Sequence, residues 1–210
     1  EAIQSVLDQS YADFEIIVVN DGSTDETEVV VKGFSDERIR YFAQENKGLA
    51  GARNAGVRLA RGEYVAFLDA DDLFLPEKLS RQVEFLLQDP SVDLVFSGWE
   101  YINAEGKILG VEEPWKYRSS VLGVEDVLVG GVAPVHAVLV RRRCLENVGG
   151  FDEAMRACED SDLWLRLAVG GCRMVLQSGV VCQYRLHDKN TSKEVSKHER
   201  WYLYCLKKFF

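Results

Sequence analysis

The chain has 210 residues, 47% of them hydrophobic and 28% charged, with a formal net charge of −9. This describes a soluble globular protein of one-domain size rather than a disordered chain. The acidity excludes a protein that coats nucleic acid, which needs basic surface to neutralise phosphates, but permits a small phosphorylated ligand whose charge a bound cation balances.

Ala2, Ile3, Val6 and Leu7 recur at helical spacing, so the chain opens in an amphipathic helix. The apolar run of Phe14–Asn20 predicts a strand buried on both faces. After the turn Asp21–Asp25, Ser23 with Glu26 three residues on fits a capping box, opening a helix to about Phe34. Arg38–Phe42 reads as a second strand, Gly48–Ala60 as a helix of small residues, and Glu63–Leu68 as another buried strand. Asp69–Asp72 ends that strand, Pro76 leads a helix to about Gln88, and Asp93–Ser97 is a further strand. The alternation predicts βαβ units in an α/β fold, a mostly parallel, Rossmann-like sheet flanked by helices. Beyond it the pattern is less regular. Ala137–Val140 reads as a strand, Glu159–Val169 as an amphipathic helix, Met174–Tyr184 as extended, and Glu194–Phe210 as a helix rich in aromatic residues. No repeat or linker interrupts this single domain. A parallel sheet usually begins with a strand feeding its first helix, so the opening helix predicts a first strand lying outside these residues.

The cysteines are Cys144, Cys158, Cys172, Cys182 and Cys205. Their odd number and the lack of a Cys-x-x-Cys pair suggest neither a disulfide framework nor a zinc site, and a reducing, cytoplasmic setting is the default. The longest apolar run, Val127–Val140, is too short to span a bilayer and contains Pro134 and His136. Nothing in the sequence reads as a transmembrane segment.

Ligands of open α/β sheets bind beyond the carboxyl ends of the strands. Asp21 falls at one such place, and Asp69, Asp71 and Asp72 fall at another. Carboxylates this close repel unless a cation or hydrogen-bond donors neutralise them. The Asp69-x-Asp71 spacing lets a turn aim two carboxylates at one Mg2+ or Mn2+, which keeps coordination sites free for phosphate oxygens. The competing account makes Asp71 and Asp72 caps of the helix near Pro76, and Asp21 a turn residue. In the Gly- and Ala-rich segment Asn46–Gly56, Arg53 either reaches a base or phosphate or pairs with a surface acid. Glu159 and Asp160 open a helix striped by Leu163, Trp164 and Leu167. They complement the helix dipole there, or one of them serves as a base toward a hydroxyl. His187 is open between loop residue and metal ligand.

The phrases IIVVNDGSTDET, ENKGLAGARNAG, GEYVAFLDADD, GGFDE and EDSDLWLRL, in that order, resemble the inverting family-two glycosyltransferases of GT-A fold. The resemblance runs from Glu1 to about Ser192. It implies transfer of a sugar from a nucleoside-diphosphate donor to a saccharide, lipid-linked or other acceptor hydroxyl, assisted by a divalent cation, as in polysaccharide biosynthesis. It implies that Asp21 contacts the base, Arg53 the nucleotide, and Asp69 and Asp71 the metal, with Asp71 the direct ligand. Asp160 would be the catalytic base with Glu159 beside it, and His187 would lie near the diphosphate and metal. Residues 1–98 would form the nucleotide-binding half, 99–192 the acceptor side and 193–210 a C-terminal helix. The setting would be cytoplasmic, at the inner face of the membrane for a lipid-linked acceptor. Family members usually begin with a strand and a turn that also contacts the nucleotide, and this sequence starts after them. A nucleotidyltransferase would want a basic, Gly-rich phosphate loop on its first strand turn, which is absent. A dehydrogenase would want GxGxxG. A non-catalytic sugar-nucleotide-binding module would not need Asp69, Asp71 and Asp160 together.

Overall fold

The computed structural model describes residues 1–129, 132–188, 190 and 195–209. Helix α1 (Ala2–Leu7) is followed by β1 (Ile16–Asp21), α2 (Thr27–Lys32), β2 (Ile39–Gln44) and α3 (Gly48–Leu59). Next come β3 (Tyr64–Val65), β4 (Leu73–Phe74), α4 (Lys78–Gln88), β5 (Leu94–Ile102), β6 (Ile108–Glu112), β7 (Val121–Leu122) and α5 (Val124–Leu128). The chain closes with β8 (Val138–Arg141), α6 (Arg142–Asn147), α7 (Glu159–Val169), β9 (Met174–Arg185) and α8 (Val195–Leu206). The expected C-terminal helix is thus α8; residues 193, 194 and 210 of that expectation lie outside the described residues.

The strands form two sheets. In the first, β1 and β2 pair in parallel from Ile16 opposite Ile39 to Asp21 opposite Gln44. The second runs β3-β8-β5-β9-β4, with β6 on β5 and β7 on β9. Within it only β5 and β9 are parallel; β3–β8, β4–β9, β5–β6, β5–β8 and β7–β9 are antiparallel. The α/β class stands, but the sheet is mixed rather than mostly parallel. One cause is local: after β5 the chain reverses at once, with Gly106 N–H donating to Asn103 O at 3.0 Å, instead of crossing over through a helix.

Three further expectations are corrected. β1 is half-buried along most of its length, not enclosed on both faces. Of Glu63–Leu68 only Tyr64 and Val65 pair, although Phe67 is buried. The Ser23–Glu26 capping box does not form. Asn20 Oδ1 accepts the Ser23 N–H at 2.7 Å, Asp25 Oδ1 accepts the N–H and hydroxyl of Thr27, and α2 begins only at Thr27.

The core lies where α7 packs on the second sheet. Leu94 and Phe96 of β5, Val138 and Val140 of β8, Met174 of β9, and Leu163 and Leu167 of α7 are all fully buried. Trp164 stands edge-on to Phe96 with ring centroids 5.5 Å apart. Each such side chain contributes about 1.5–3 kcal/mol on burial, and truncating an aromatic at this depth costs about 3–5 kcal/mol. The stripe Leu163, Trp164, Leu167 therefore fixes the rotation of α7, and with it the direction of Glu159 and Asp160 at its start.

Candidate active site

Arg53 projects from α3 with 8% of its side chain exposed and bridges two distant acids. Its Nη1 donates to Glu159 Oε1 at 2.7 Å, across 106 residues of chain, and its Nη2 donates to both oxygens of Asp69 at 2.8 and 3.0 Å. The Phe151 ring lies 5.5 Å from the guanidinium carbon. Burial opposes the Arg53 charge, but the pairs with Asp69 and Glu159 outweigh it and raise its pKa above an already high value. Burial likewise opposes ionisation of Asp69, and Arg53 more than offsets it, holding that carboxyl below its usual range. Asp160 goes the other way. Burial first, then the Glu159 charge, push it up to about 6, with partial relief from Arg53 and from the Ser161 N–H that donates to its Oδ1 at 2.7 Å.

Two local features aim these groups. Cys158, just before α7, is left-handed at φ 57°, and no other described non-glycine residue has positive φ. For a residue with a Cβ that conformation costs about 1–2 kcal/mol. Its thiol lies 3.3 Å from His198 Nδ1 on α8, a contact that helps hold the turn. On the other side, Asn54 of α3 clamps the Gly149–Glu153 loop: Nδ2 donates to Phe151 O at 2.9 Å and Oδ1 accepts the Phe151 N–H at 2.8 Å. Gly150 has φ 71°, and a Cβ there would stand 2.4 Å from Asn54 Oδ1, so glycine is required.

The Asp69–Asp72 turn closes through the Asp72 N–H donating to Asp69 O at 3.2 Å, and its three carboxylates diverge. Asp69 faces Arg53. Asp71, 41% exposed, lies with Oδ2 2.8 Å from His187 Nε2. Asp72 is enclosed; its Oδ1 accepts the Arg185 N–H at 2.7 Å and its Oδ2 lies 2.9 Å from Nδ1 of the equally buried His136. Geometry denies that last contact the status of a directed hydrogen bond, so Asp72 Oδ2 and both His136 nitrogens are buried without one. Burial raises the Asp72 pKa. The Asp72–His136 pair escaped the sequence reading, although a histidine inside the apolar run Val127–Val140 was a signal that it had a buried partner.

Two residue sets around the Asp69–Asp72 turn are candidates for a divalent metal. Ligand atoms of Asp69, Asp72 and His136 lie within 4.8 Å of one another. Asp69 is already engaged by Arg53, and Asp72 and His136 are enclosed, leaving no room for phosphate oxygens on a shared ion. Asp71 and His187 fit better. Cis ligands at about 2.1 Å in an octahedron stand about 3.0 Å apart, close to the 2.8 Å between these atoms, and Asp71 is open to solvent. The two members of the expected Asp69–Asp71 metal pair face different partners. Asp71 offers an oxygen beside His187, and both Asp69 oxygens are held by Arg53.

Asp21 stands apart from this network. Its Oδ1 accepts Gln44 Nε2 at 2.7 Å and the Lys47 N–H at 2.8 Å, which ties the end of β1 to the start of α3. The helix that bears Arg53 is the element linking Asp21 to the acidic turn.

The mannosyltransferase PcManGT from Pyrobaculum calidifontis, in complex with GDP-Man and Mn2+, matches the structure at a TM-score of 0.75 and 22% identity, over 98% of this chain and 59% of that one. The fold is that of the GT-A glycosyltransferases. The chain belongs to glycosyl transferase family 2, whose profile matches residues 1–149. It is 33% identical to an uncharacterised glycosyltransferase of Rickettsia felis, over 94% of this chain and 33% of that protein. It is 32% identical to UDP-Glc:alpha-D-GlcNAc-diphosphoundecaprenol beta-1,3-glucosyltransferase WfgD of Escherichia coli, over 93% of this chain and 75% of that protein. The chain spans about a third of the length of several curated relatives that it matches. No helix among the described residues is long and apolar enough to cross a membrane.

Proposed function

We propose that this chain is the catalytic domain of an inverting glycosyltransferase moving a sugar from a nucleoside-diphosphate donor to an acceptor hydroxyl. The observation that carries the reading is the Arg53 bridge, which holds the turn of Asp69 and Asp71 and the start of α7 around one buried cation. In this reading residues 1–98 hold the nucleotide, with Asp21 toward the base and Arg53 and Asp69 shaping the diphosphate side. Residues 99–192 receive the acceptor. Asp71 and His187 would hold a divalent cation, which supplies charge neutralisation for the departing diphosphate.

Asp160 performs the proton transfer. Its carboxylate takes the proton of the acceptor hydroxyl, the oxygen bonds to the anomeric carbon, and the bond from that carbon to the diphosphate breaks. The electron pair leaves with the nucleoside diphosphate, and a single displacement inverts the carbon. Glu159 keeps Asp160 basic enough for this while Arg53 limits how far that goes. The names of relatives and structural neighbours support the donor class, with UDP-Glc in one and GDP-Man in another. WfgD's lipid-linked acceptor supports a site of action at the inner membrane face.

The test is turnover of a panel of nucleotide sugars with Mn2+, then with excess chelator, in wild type and Asp71→Ala. Chelation abolishes turnover, and Asp71→Ala does the same while keeping the wild-type unfolding midpoint. Full activity in excess chelator rejects the cation's role, and donor binding without turnover of any sugar rejects catalysis.

A further inference from the structure

A second cluster lies at the other end of the large sheet. Asp93 immediately precedes β5, Cys144 lies in α6 just after β8, and Cys172 lies in the turn leading to β9. These strands are neighbours in the order β8-β5-β9, so three adjacent strand ends deliver the three side chains to one edge. β3 starts with Tyr64 opposite Arg141 and proceeds to Val65 opposite Val140, heading away from this edge. The Asp69–Asp72 turn that follows β3 therefore lies toward the opposite end. One carboxylate oxygen and the two sulfurs lie within 4.8 Å of one another.

We propose that Asp93, Cys144 and Cys172 form a site for a thiophilic divalent cation, with zinc the ion that fits, separate from the donor site. A tetrahedral zinc bonds sulfur at about 2.3 Å and oxygen at about 2.0–2.2 Å, which places two thiolates about 3.8 Å apart, inside the observed spacing. The fourth position falls to water. Cys144 is buried, whereas Cys172 is half-buried and opens the site to entry.

Charge and frame both suit such an ion. Two thiolates and a carboxylate carry −3; zinc and Arg143, whose Nη2 is 2.7 Å from Asp93 Oδ1, return +3. Asp93 is held rigidly: its carbonyl accepts the Arg141 N–H, its N–H donates to Arg173 O, and its Oδ2 accepts the Arg173 N–H at 3.0 Å. The two thiols stand beside each other in this cluster. The neighbouring thiol, with burial, raises the Cys144 pKa, and the same neighbour lowers that of Cys172. Binding forms two metal–sulfur bonds and one metal–oxygen bond and releases the thiol protons to water. Cys-x-x-Cys spacing gave no hint of this, because topology rather than sequence proximity joins the ligands.

The test uses the full chain, reduced and stripped of metal, with Cd2+ as probe. The thiolate-to-cadmium ultraviolet band grows to saturation at one equivalent, and added Zn2+ displaces it. Cys172→Ser loses the band, Asp93→Asn weakens it, and Asp71→Ala keeps it, which separates this site from the proposed donor metal. Zn2+ raises the unfolding midpoint of wild type but not of Cys172→Ser. In unmutated protein Zn2+ also slows alkylation of Cys172, a readout that does not depend on a variant folding. The proposal is overturned by absence of the band, by an undiminished band in Cys172→Ser, or by unchanged alkylation of Cys172 in Zn2+.

Discussion

The Asp69–Asp72 turn and the start of α7 both present carboxylates to Arg53, yet Asp69 titrates below its usual range and Asp160 above it. Both are opposed by burial. The difference is contact: Asp69 takes two hydrogen bonds from the guanidinium, while Asp160 feels Arg53 only through space and has the like charge of Glu159 beside it. One cation thus holds one acid below the usual carboxylate range and leaves another raised to about 6. In the proposed mechanism, direct pairing suits Asp69 to binding and indirect pairing suits Asp160 to proton transfer.

Breaking the reacting side gives the largest effect. Asp160→Asn keeps size and removes proton acceptance, so kcat falls on the order of 10²–10⁴ while the donor dissociation constant changes little. Wild-type kcat rises with pH through about 6, because the base must be ionised. If Glu159→Gln is crippled while Asp160→Asn turns over normally, the two acids exchange roles.

Removing the shared cation comes next. Arg53→Met leaves the nearly buried Glu159 and the partly exposed Asp69 unpaired; losing one partner of a buried pair costs about 3–5 kcal/mol, and solvent at Asp69 keeps the loss toward the lower end. Denaturant unfolding measures this, and an unchanged midpoint would mean that water satisfies both acids. The smallest effect separates stability from catalysis. Asp160 binds its proton more tightly in the folded than in the unfolded chain, so its ionisation destabilises the fold as pH rises from about 4 through about 6. Asp160→Asn removes that cost. At pH 7.5 the variant is more stable by on the order of 1–3 kcal/mol, and at pH 3.5 the gain vanishes. A gain that persists at pH 3.5 would assign it to packing instead.

Periodic segments were legible. The stripe Leu163, Trp164, Leu167 gave α7 with its bounds, and the small residues of Gly48–Ala60 gave α3, because one period and one environment agreed there. β3 shrank to two residues and β1 proved half-buried because strand burial depends on neighbours that a local run does not specify. β4, β6, β7, α5 and α6 are short and lie where apolar and polar residues follow no single period. At the site, the acids were visible as a cluster at a strand end, but not their division of labour. That Asp69 would face Arg53, Asp71 His187 and Asp72 His136 depends on partners brought from α3, the segment after β9 and the approach to β8.

The separation of β1 and β2 from the seven-stranded sheet has a consequence in time. A two-stranded ribbon is marginal by itself, and local opening draws on the least supported units. Backbone amides of Ile16–Asp21 exchange with solvent deuterium well before those of Leu94–Phe96, which lie between β8 and β9. Asp21 closes that ribbon through Gln44 and Lys47, at the place assigned to the base of the donor. A nucleotide held there binds only the closed ribbon, so its occupancy slows exchange along β1 and leaves the central sheet's rates as they were.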